Sequence, residues 1–336
     1  MEGCPMKIRS TITAICIVLV FISCFILNVV SVSAETKTFI KEYTYQAGDE
    51  DSKNSCRVIA LREVKRLLLE ELGTYLKSET EVKNFQLTKD QIITLTAGIV
   101  GTELIEDKWD GKTYWLKAKI SANPGDVTKA IDNLRKDRQK TKELEDVRKK
   151  SDALLKENER LRRELATSKG EKKKKETKAY NKTIKDLKAA EWFEIAYQFL
   201  IAEHWKGALD AFTKAIELNP QDANAYSNRG LACDKLGNYQ QAIKDYNKAI
   251  KLNPQYATVY INRGIAYAKL GNTKQGIKDF NKTIELNPQN SLAYYNKGIA
   301  YAHLGNIKQA IENYKIAARL EHKGAQDLLK SNGIEW

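Results

Sequence analysis

Three asparagines, Asn228, Asn262 and Asn296, recur at intervals of 34 residues, each inside a similar phrase: YSNRG from Tyr226, YINRG from Tyr260 and YYNKG from Tyr294. A carboxamide offers two N–H donors and one acceptor oxygen, so its chemistry is noncovalent holding. Reaction chemistry has no comparable signal in this chain. No nucleophile is set beside a base, no glycine-rich loop is built for phosphate, and no metal-ligand spacing occurs. His204, His303 and His322 stand apart from any cysteine or carboxylate pattern and read as surface residues. Cys4, Cys16 and Cys24 fall within the first 34 residues, leaving Cys56 and Cys233 too isolated to make a disulfide framework. The expectation is a binding protein that is not an enzyme and has no cofactor and no metal.

The elements that would position the amides are repeats. Setting Pro220, Pro254 and Pro288 near the end of each unit brings other positions into register. An aromatic stands at Trp192, Tyr226, Tyr260 and Tyr294, with a small residue four positions on at Ala196, Gly230, Gly264 and Gly298. A second small residue follows at Ala208, Ala242, Gly276 and Ala310, then a ring at Phe212, Tyr246, Phe280 and Tyr314. Small residues let two helices approach, rings fill the space between pairs, and Gly237, Gly271 and Gly305 supply the turn after each first helix. Repetition at this period marks a helical solenoid. This pattern resembles the tetratricopeptide repeat, in four units at 189–222, 223–256, 257–290 and 291–324 with a capping helix in 325–336. Ala202-Glu203 in the first unit and His322 in the last depart from it, as terminal units do.

The resemblance implies a concave groove in which the amides of Asn228, Asn262 and Asn296 hold the backbone of an extended peptide. Ser227, Ile261, Tyr295, Leu231, Ile265, Ile299, Lys235, Lys269 and His303 would line the same surface. The plainer reading is that asparagine is common at this position whatever the ligand.

Residues 35–124 read as a small α+β domain. A strand rich in Thr, Phe, Ile and Tyr spans about 36–45, and a helix over about 51–77 carries Cys56, Ile59, Val64, Leu68, Leu72 and Leu76 at helical spacing. Thr88-Lys-Asp-Gln91 fits a capping box, and Asp110-Gly111 joins two strands as a hairpin whose second strand turns Tyr114, Leu116, Ala118 and Ile120 to one face. The run CRVIALREVKRLLLEELGTYLKSETEV, with Asn84, Asp90 and Ala97-Gly98-Ile99-Val100, resembles the N-terminal domain of flagellar assembly protein T and related envelope lipoproteins. That resemblance implies an envelope location and an assembly role without a catalytic motif.

Charge concentrates in the connector, 125–188. Between 131 and 190, 21 Lys and Arg face 12 Asp and Glu, which is +9 of the chain's +13. A heptad places Leu144, Ser151, Asn158 and Leu165 at a, and Val147, Leu154, Leu161 and Ser168 at d. Glu143 then precedes Arg148, and Glu157 precedes Arg162, at the spacing of interchain pairs in a parallel coiled coil, so a homodimer seam is expected through Leu144, Val147, Leu154, Asn158, Leu161 and Leu165. The alternative is a lone solvated helix laced by i,i+4 pairs. The run Glu171-Lys-Lys-Lys-Lys-Glu176 lacks interleaved aromatics and reads as a solvated hinge, not a nucleic-acid site.

Lys7 and Arg9 precede an uncharged stretch from Ser10 to Ala34 that ends Val32-Ser33-Ala34. A basic start, an apolar middle and a small-x-small end make an export signal, and the apolar length would also allow an uncleaved membrane anchor. The sequence therefore describes an exported, multidomain protein of the periplasm or cell envelope: an α+β domain, a coiled-coil connector and an all-α repeat array that binds a protein or peptide. A structural part acting through the α+β domain, with repeats used for packing, is the alternative.

Overall fold

A computed structural model describes residues 36–78 and 87–336. The leader and Asn84 lie outside the described residues, and among those described no helix is long and apolar enough to cross a membrane.

Three antiparallel strands, β1 (Lys37–Gln46), β2 (Glu103–Trp109) and β3 (Thr113–Ala122), lie in the order β1-β3-β2. Asp110 sets the hairpin turn, its Oδ1 accepting from the Lys112 N–H at 2.8 Å and the Thr113 N–H at 2.6 Å. Gly111 follows at φ +97°, where a side chain would strain the backbone. Tyr114, Leu116, Ala118 and Ile120 alternate onto one face of β3 and are fully covered, with helix α1 (Lys53–Ser78) packed against that sheet. The other face meets water and carries the cross-strand pairs Glu42–Lys117 and Glu103–Lys119. Helix α2 (Lys89–Ala97) starts on the expected capping box, with Thr88 Oγ1 accepting from the Gln91 N–H and Gln91 Oε1 from the Thr88 N–H.

After α3 (Pro124–Lys136), the connector forms two long helices, α4 (Arg138–Leu165) and α5 (Gly170–Ile201), folded back on each other as a hairpin. Leu144, Val147, Leu161 and Leu165 are buried and Leu154 half-buried within this single chain. Leu144 lies against Gly98, where an added Cβ would come within 2.8 Å of its methyl carbons. Asn158 Nδ2 donates to Thr183 Oγ1 on α5 at 3.0 Å. Arg148 donates to the Asp90 carbonyl and Thr94, and Arg162 to the Gln46 carbonyl, so neither waits for a partner chain's glutamate. The residues expected to face a second copy are therefore covered by their own chain. A heptad records an apolar stripe but not whose surface covers it.

Two buried carboxylates fasten this hairpin to the α+β domain. Glu194 on α5 accepts from Arg62 Nη2 at 2.7 Å and Lys65 Nζ at 2.5 Å, while Arg62 Nε reaches Ser151 Oγ on α4 at 2.5 Å. Asp51, before α1, accepts from the Gly48 N–H at 2.7 Å, from the Tyr45 hydroxyl at 3.2 Å and from the Tyr180 hydroxyl on α5. Around these ties one apolar core runs unbroken from Tyr45 on β1 to Ala232 in the second repeat.

Helix α5 continues directly into the repeats as the first helix of unit one, paired with α6 (Trp205–Leu218). The later units are α7 (Ala223–Lys235) with α8 (Tyr239–Leu252), α9 (Ala257–Lys269) with α10 (Thr273–Leu286), and α11 (Ser291–His303) with α12 (Ile307–Arg319). Helix α13 (Lys323–Ser331) closes the array. A Cβ on Gly230, Gly264 or Gly298 would sit 2.7, 2.7 or 2.6 Å from the ring of Tyr246, Phe280 or Tyr314, which is why the chain returns to glycine there. The turn glycines Gly237, Gly271 and Gly305 take φ of 78°, 80° and 75°, and Glu203 holds the same place in the atypical first unit at φ 54°.

Burial pushes the Glu194 carboxyl upward, but the charges of Arg62 and Lys65 outweigh it and hold its pKa below the ordinary value. Its stabilising contribution is therefore present above the unfolded pKa and is lost as pH falls through the folded one. Glu194→Ala leaves two buried cations unmet, and we expect a loss of about 3–5 kcal/mol in chemical unfolding at pH 7. A loss under about 1 kcal/mol would show that the tie is not structural.

Candidate functional site

The first helices of units two, three and four place Ser227 with Asn228, Ile261 with Asn262, and Tyr295 with Asn296 at equivalent positions, as a 34-residue period requires. Their surroundings are not equivalent. Asn228 is buried, and its Nδ2 donates to Glu143 Oε2 on α4 at 2.9 Å. Asn262 is half-buried and makes no side-chain hydrogen bond among the described residues. Asn296 Nδ2 turns back to the Leu292 carbonyl of its own helix at 2.9 Å.

The flanking residues divide in the same way. Ser227 is buried and Leu231 half-buried against the main core. Ile261 is buried beside Phe280, with Ile265 half-buried on the same cluster. Ile299 and Tyr295 line the cluster around Tyr314, and the Tyr295 ring stacks on His322 at 4.2 Å, so the end of the array is partly covered by its own cap. Lys235 is exposed over the Trp205 ring, His303 is exposed, and Lys269 pairs with Asp234 at 2.8 Å.

Glu143 is the residue that sequence reasoning missed. Its Oε1 accepts from the Tyr256 hydroxyl at 2.8 Å and from Gln139 Nε2 at 2.8 Å, completing with Asn228 a ring of neutral donors around a buried carboxylate. Burial pushes its pKa up, the bonds from Asn228, Gln139 and Tyr256 oppose that without cancelling it, and nearby Asp137 adds to the rise. Burial and the same carboxylate raise the Tyr256 and Tyr197 hydroxyls, and Tyr197 Oη is buried without a hydrogen-bond partner among the described residues. No local signal in the sequence joins 143 to 228 and 256. The heptad put Glu143 on an outer flank, and only the fold of the hairpin carries it to the repeats.

The cation of the opening phrase makes an ion pair within its repeat in units two and three. Arg229 grips Asp245 with two bonds of 2.9 and 2.7 Å, and Arg263 grips Asp279 with two of 2.8 and 2.6 Å, each pair 16 residues apart. These bidentate pairs clamp the first helix of a unit to its second. In the fourth unit Lys297 and Asn313 stand where Arg and Asp would be, and burial alone lowers the Lys297 pKa.

Elsewhere, a cavity of 690 Å³ between β1 and α4 is lined by Tyr45, Asp51, Arg162 and Tyr180. Those four groups are joined through Asp51, which accepts from both hydroxyls and pairs with Arg162 at 3.5 Å. Among the described residues no group of three or more His, Cys, Asp or Glu is placed to hold a metal ion. Cys56 and Cys233 are buried thiols whose pKa burial raises to about 11, the opposite direction from that of an activated thiol.

Comparison with known proteins bears on the repeats. Models of the tetratricopeptide repeat match 223–256 and 257–290, a second such model matches 280–312, and a TPR repeat model matches 198–237. These residues are tetratricopeptide repeats. None of the three models reaches the α+β domain. The human small glutamine-rich tetratricopeptide repeat-containing protein beta is 51% identical over 43 residues, 13% of this chain and 14% of that protein. The chain thus spans about one seventh of the length of this curated relative. Among solved structures, MamA is 25% identical over 48% of this chain and 99% of its own, at a TM-score of 0.39. The first TPR of Spaghetti (RPAP3), bound to the HSP90 peptide SRMEEVD, is 27% identical over 36% of this chain and 95% of its own, at a TM-score of 0.35.

A carboxyl whose folded pKa is raised favours the folded state while protonated, and that contribution is lost as pH rises from the ordinary glutamate value of 4.5 through the folded pKa. Replacing Glu143 by Gln keeps the shape and removes the titration. The expected result is that the fall in wild-type stability over this upward window flattens in Glu143→Gln, read from denaturant midpoints at successive pH values. Parallel profiles for the two proteins would exclude a raised Glu143.

Proposed function

We propose that this chain is a nonenzymatic scaffold whose tetratricopeptide repeats bind a segment of a partner protein along the face that carries Asn262. The observation behind this reading is the contrast among the three amides: Asn228 is satisfied by Glu143 and Asn296 by its own helix, while Asn262 makes no side-chain hydrogen bond among the described residues. Beside it the half-buried Ile265 offers apolar contact, and Ile299 and Tyr295 extend that surface toward the cap. A carboxamide bonding backbone groups of an extended peptide, with aliphatic side chains on either side, fits recognition by position more than by charge. The α+β domain and the hairpin act as the rigid base from which the repeats project.

One observation favours a second reading, in which the chain is a structural part of an envelope assembly and the repeats serve packing. The core runs unbroken from the sheet into unit two, and the first amide of the expected row already serves it. Export through the leader belongs to both readings, and the intact mass of protein from an envelope fraction is expected to correspond to a chain beginning near Glu35. A mass retaining residues 1–34 would favour the anchor.

The scaffold reading is tested by selecting a random peptide library on the full-length chain and measuring the affinity of selected peptides for Asn262→Ala. One net hydrogen bond is worth about 0.5–1.5 kcal/mol, so binding should weaken by about two- to twelvefold while the melting temperature stays unchanged. Peptides that bind the variant equally well, or that bind only through the α+β domain, would favour the packing role.

A further inference from the structure

The start of α4 occupies ground that the tetratricopeptide pattern assigns to a partner. We infer that Glu143 is an intramolecular latch, which holds the first turns of α4 against the repeats and closes the Asn228 end of the binding face to any partner. This inference rests on the scaffold reading for its consequence, though not for its geometry.

Four observations carry it. Asn228 on α7 and Tyr256 at the start of α9 donate to the one carboxylate from the repeats at 2.9 and 2.8 Å, and Gln139, one turn earlier on α4 itself, donates at 2.8 Å. Gln139 Nε2 also reaches the Tyr256 hydroxyl at 3.1 Å, so the contact is a small network and not a single bond. The carboxylate, Asn228, Ser227 and Tyr256 are all buried, whereas Asn262 and Asn296, at the same repeat position and free of α4, are only half-buried. Finally, the grip is local. Beyond Gln139 and Glu143, the packing of α4 is chiefly against α5, with smaller contacts to α3 and α2.

A latch of this kind is held by polar geometry more than by apolar area. The donors are neutral, so no ion pair opposes release, and the titratable neighbours Asp137, Tyr197 and Tyr256 contribute no positive charge. Opening would uncover Asn228, Ser227 and Leu231 and lengthen the binding face from units three and four back into unit two. An occupant that displaced α4 would have to bring an acceptor to Asn228 and the Tyr256 hydroxyl, because a buried donor left unmet is costly.

The test exchanges the two ends of the bond. Well above the carboxylate range, where both groups are ionised, Asn228→Asp sets two carboxylates against each other, and hydrogen exchange of the full-length chain should then quicken about tenfold or more in residues 139–147 and 224–232, the effect of breaking a buried polar contact. The double variant Asn228→Asp with Glu143→Gln restores an amide to carboxylate bond with its direction reversed, and should return those amides to near wild-type protection. Amides of β3 serve as the reference and should not change. If Asn228→Asp loosens the whole chain, Tyr256→Phe decides the matter, since it removes one donor and keeps the ring. It should quicken the same segments by about two- to tenfold. Unchanged exchange in 139–147 for Asn228→Asp or Tyr256→Phe, or no recovery in the double variant, would overturn the latch. None of these readings requires a partner, so a failure here is distinguishable from a failure of the scaffold reading.

Discussion

The tie between Glu194 and the Arg62–Lys65 pair is the constraint from which the rest of this structure follows. Helix α5 serves twice, as the second arm of the hairpin and as the first helix of the repeat array, and Glu194 sits on the part that does both. Fixing that carboxylate to α1 fixes the helix from which the solenoid begins. Each of the three side chains is at least nine-tenths removed from water, so the tie is costly to break from either side. Asp51 repeats the device at the other end of the hairpin, where it joins β1 through Tyr45 and α5 through Tyr180.

With the hairpin fixed in this way, α4 has little freedom. Its apolar stripe covers α5 and the C-terminal end of α2, and its first turns come to the repeats with Glu143 foremost. The carboxylate there meets three neutral donors and no cation, unlike Glu194. The contrast in pKa direction records this difference: strong opposite charge lowers one buried carboxyl, and burial without charge raises the other. One carboxylate reads as a permanent fastening and the other as a contact that polar competition could open.

Within the repeats the recurring parts separate into packing and holding roles. Glycine next to a ring permits the close crossing of helices, and in units two and three an arginine clamps the helix pair through the aspartate 16 residues on. The asparagine takes part in neither, and its surroundings vary from unit to unit: Asn228 meets Glu143, Asn296 turns back on its own helix, and Asn262 is half-buried. Fading of the clamp at Lys297 and Asn313, together with the stacking of Tyr295 on His322, marks the last unit as a terminal one.

Much of this was legible in the chain itself, because it depends on period. The 34-residue interval determined the number of helix pairs and the residue at each crossing, the period-2 alternation determined which face of β3 is covered, and Thr88 with Gln91 determined the start of α2. Tertiary structure alone decided what covers an apolar or polar stripe once it exists. The heptad of Leu144, Val147, Asn158 and Leu161 is the same pattern whether it faces a second copy or its own hairpin, and chain connectivity chose the hairpin. Glu143 and Asn228 are 85 residues apart with no shared period, so their bond follows only from the way α5 is fastened to the sheet domain. Local spacing governs what an element presents, and long-range packing governs what it meets.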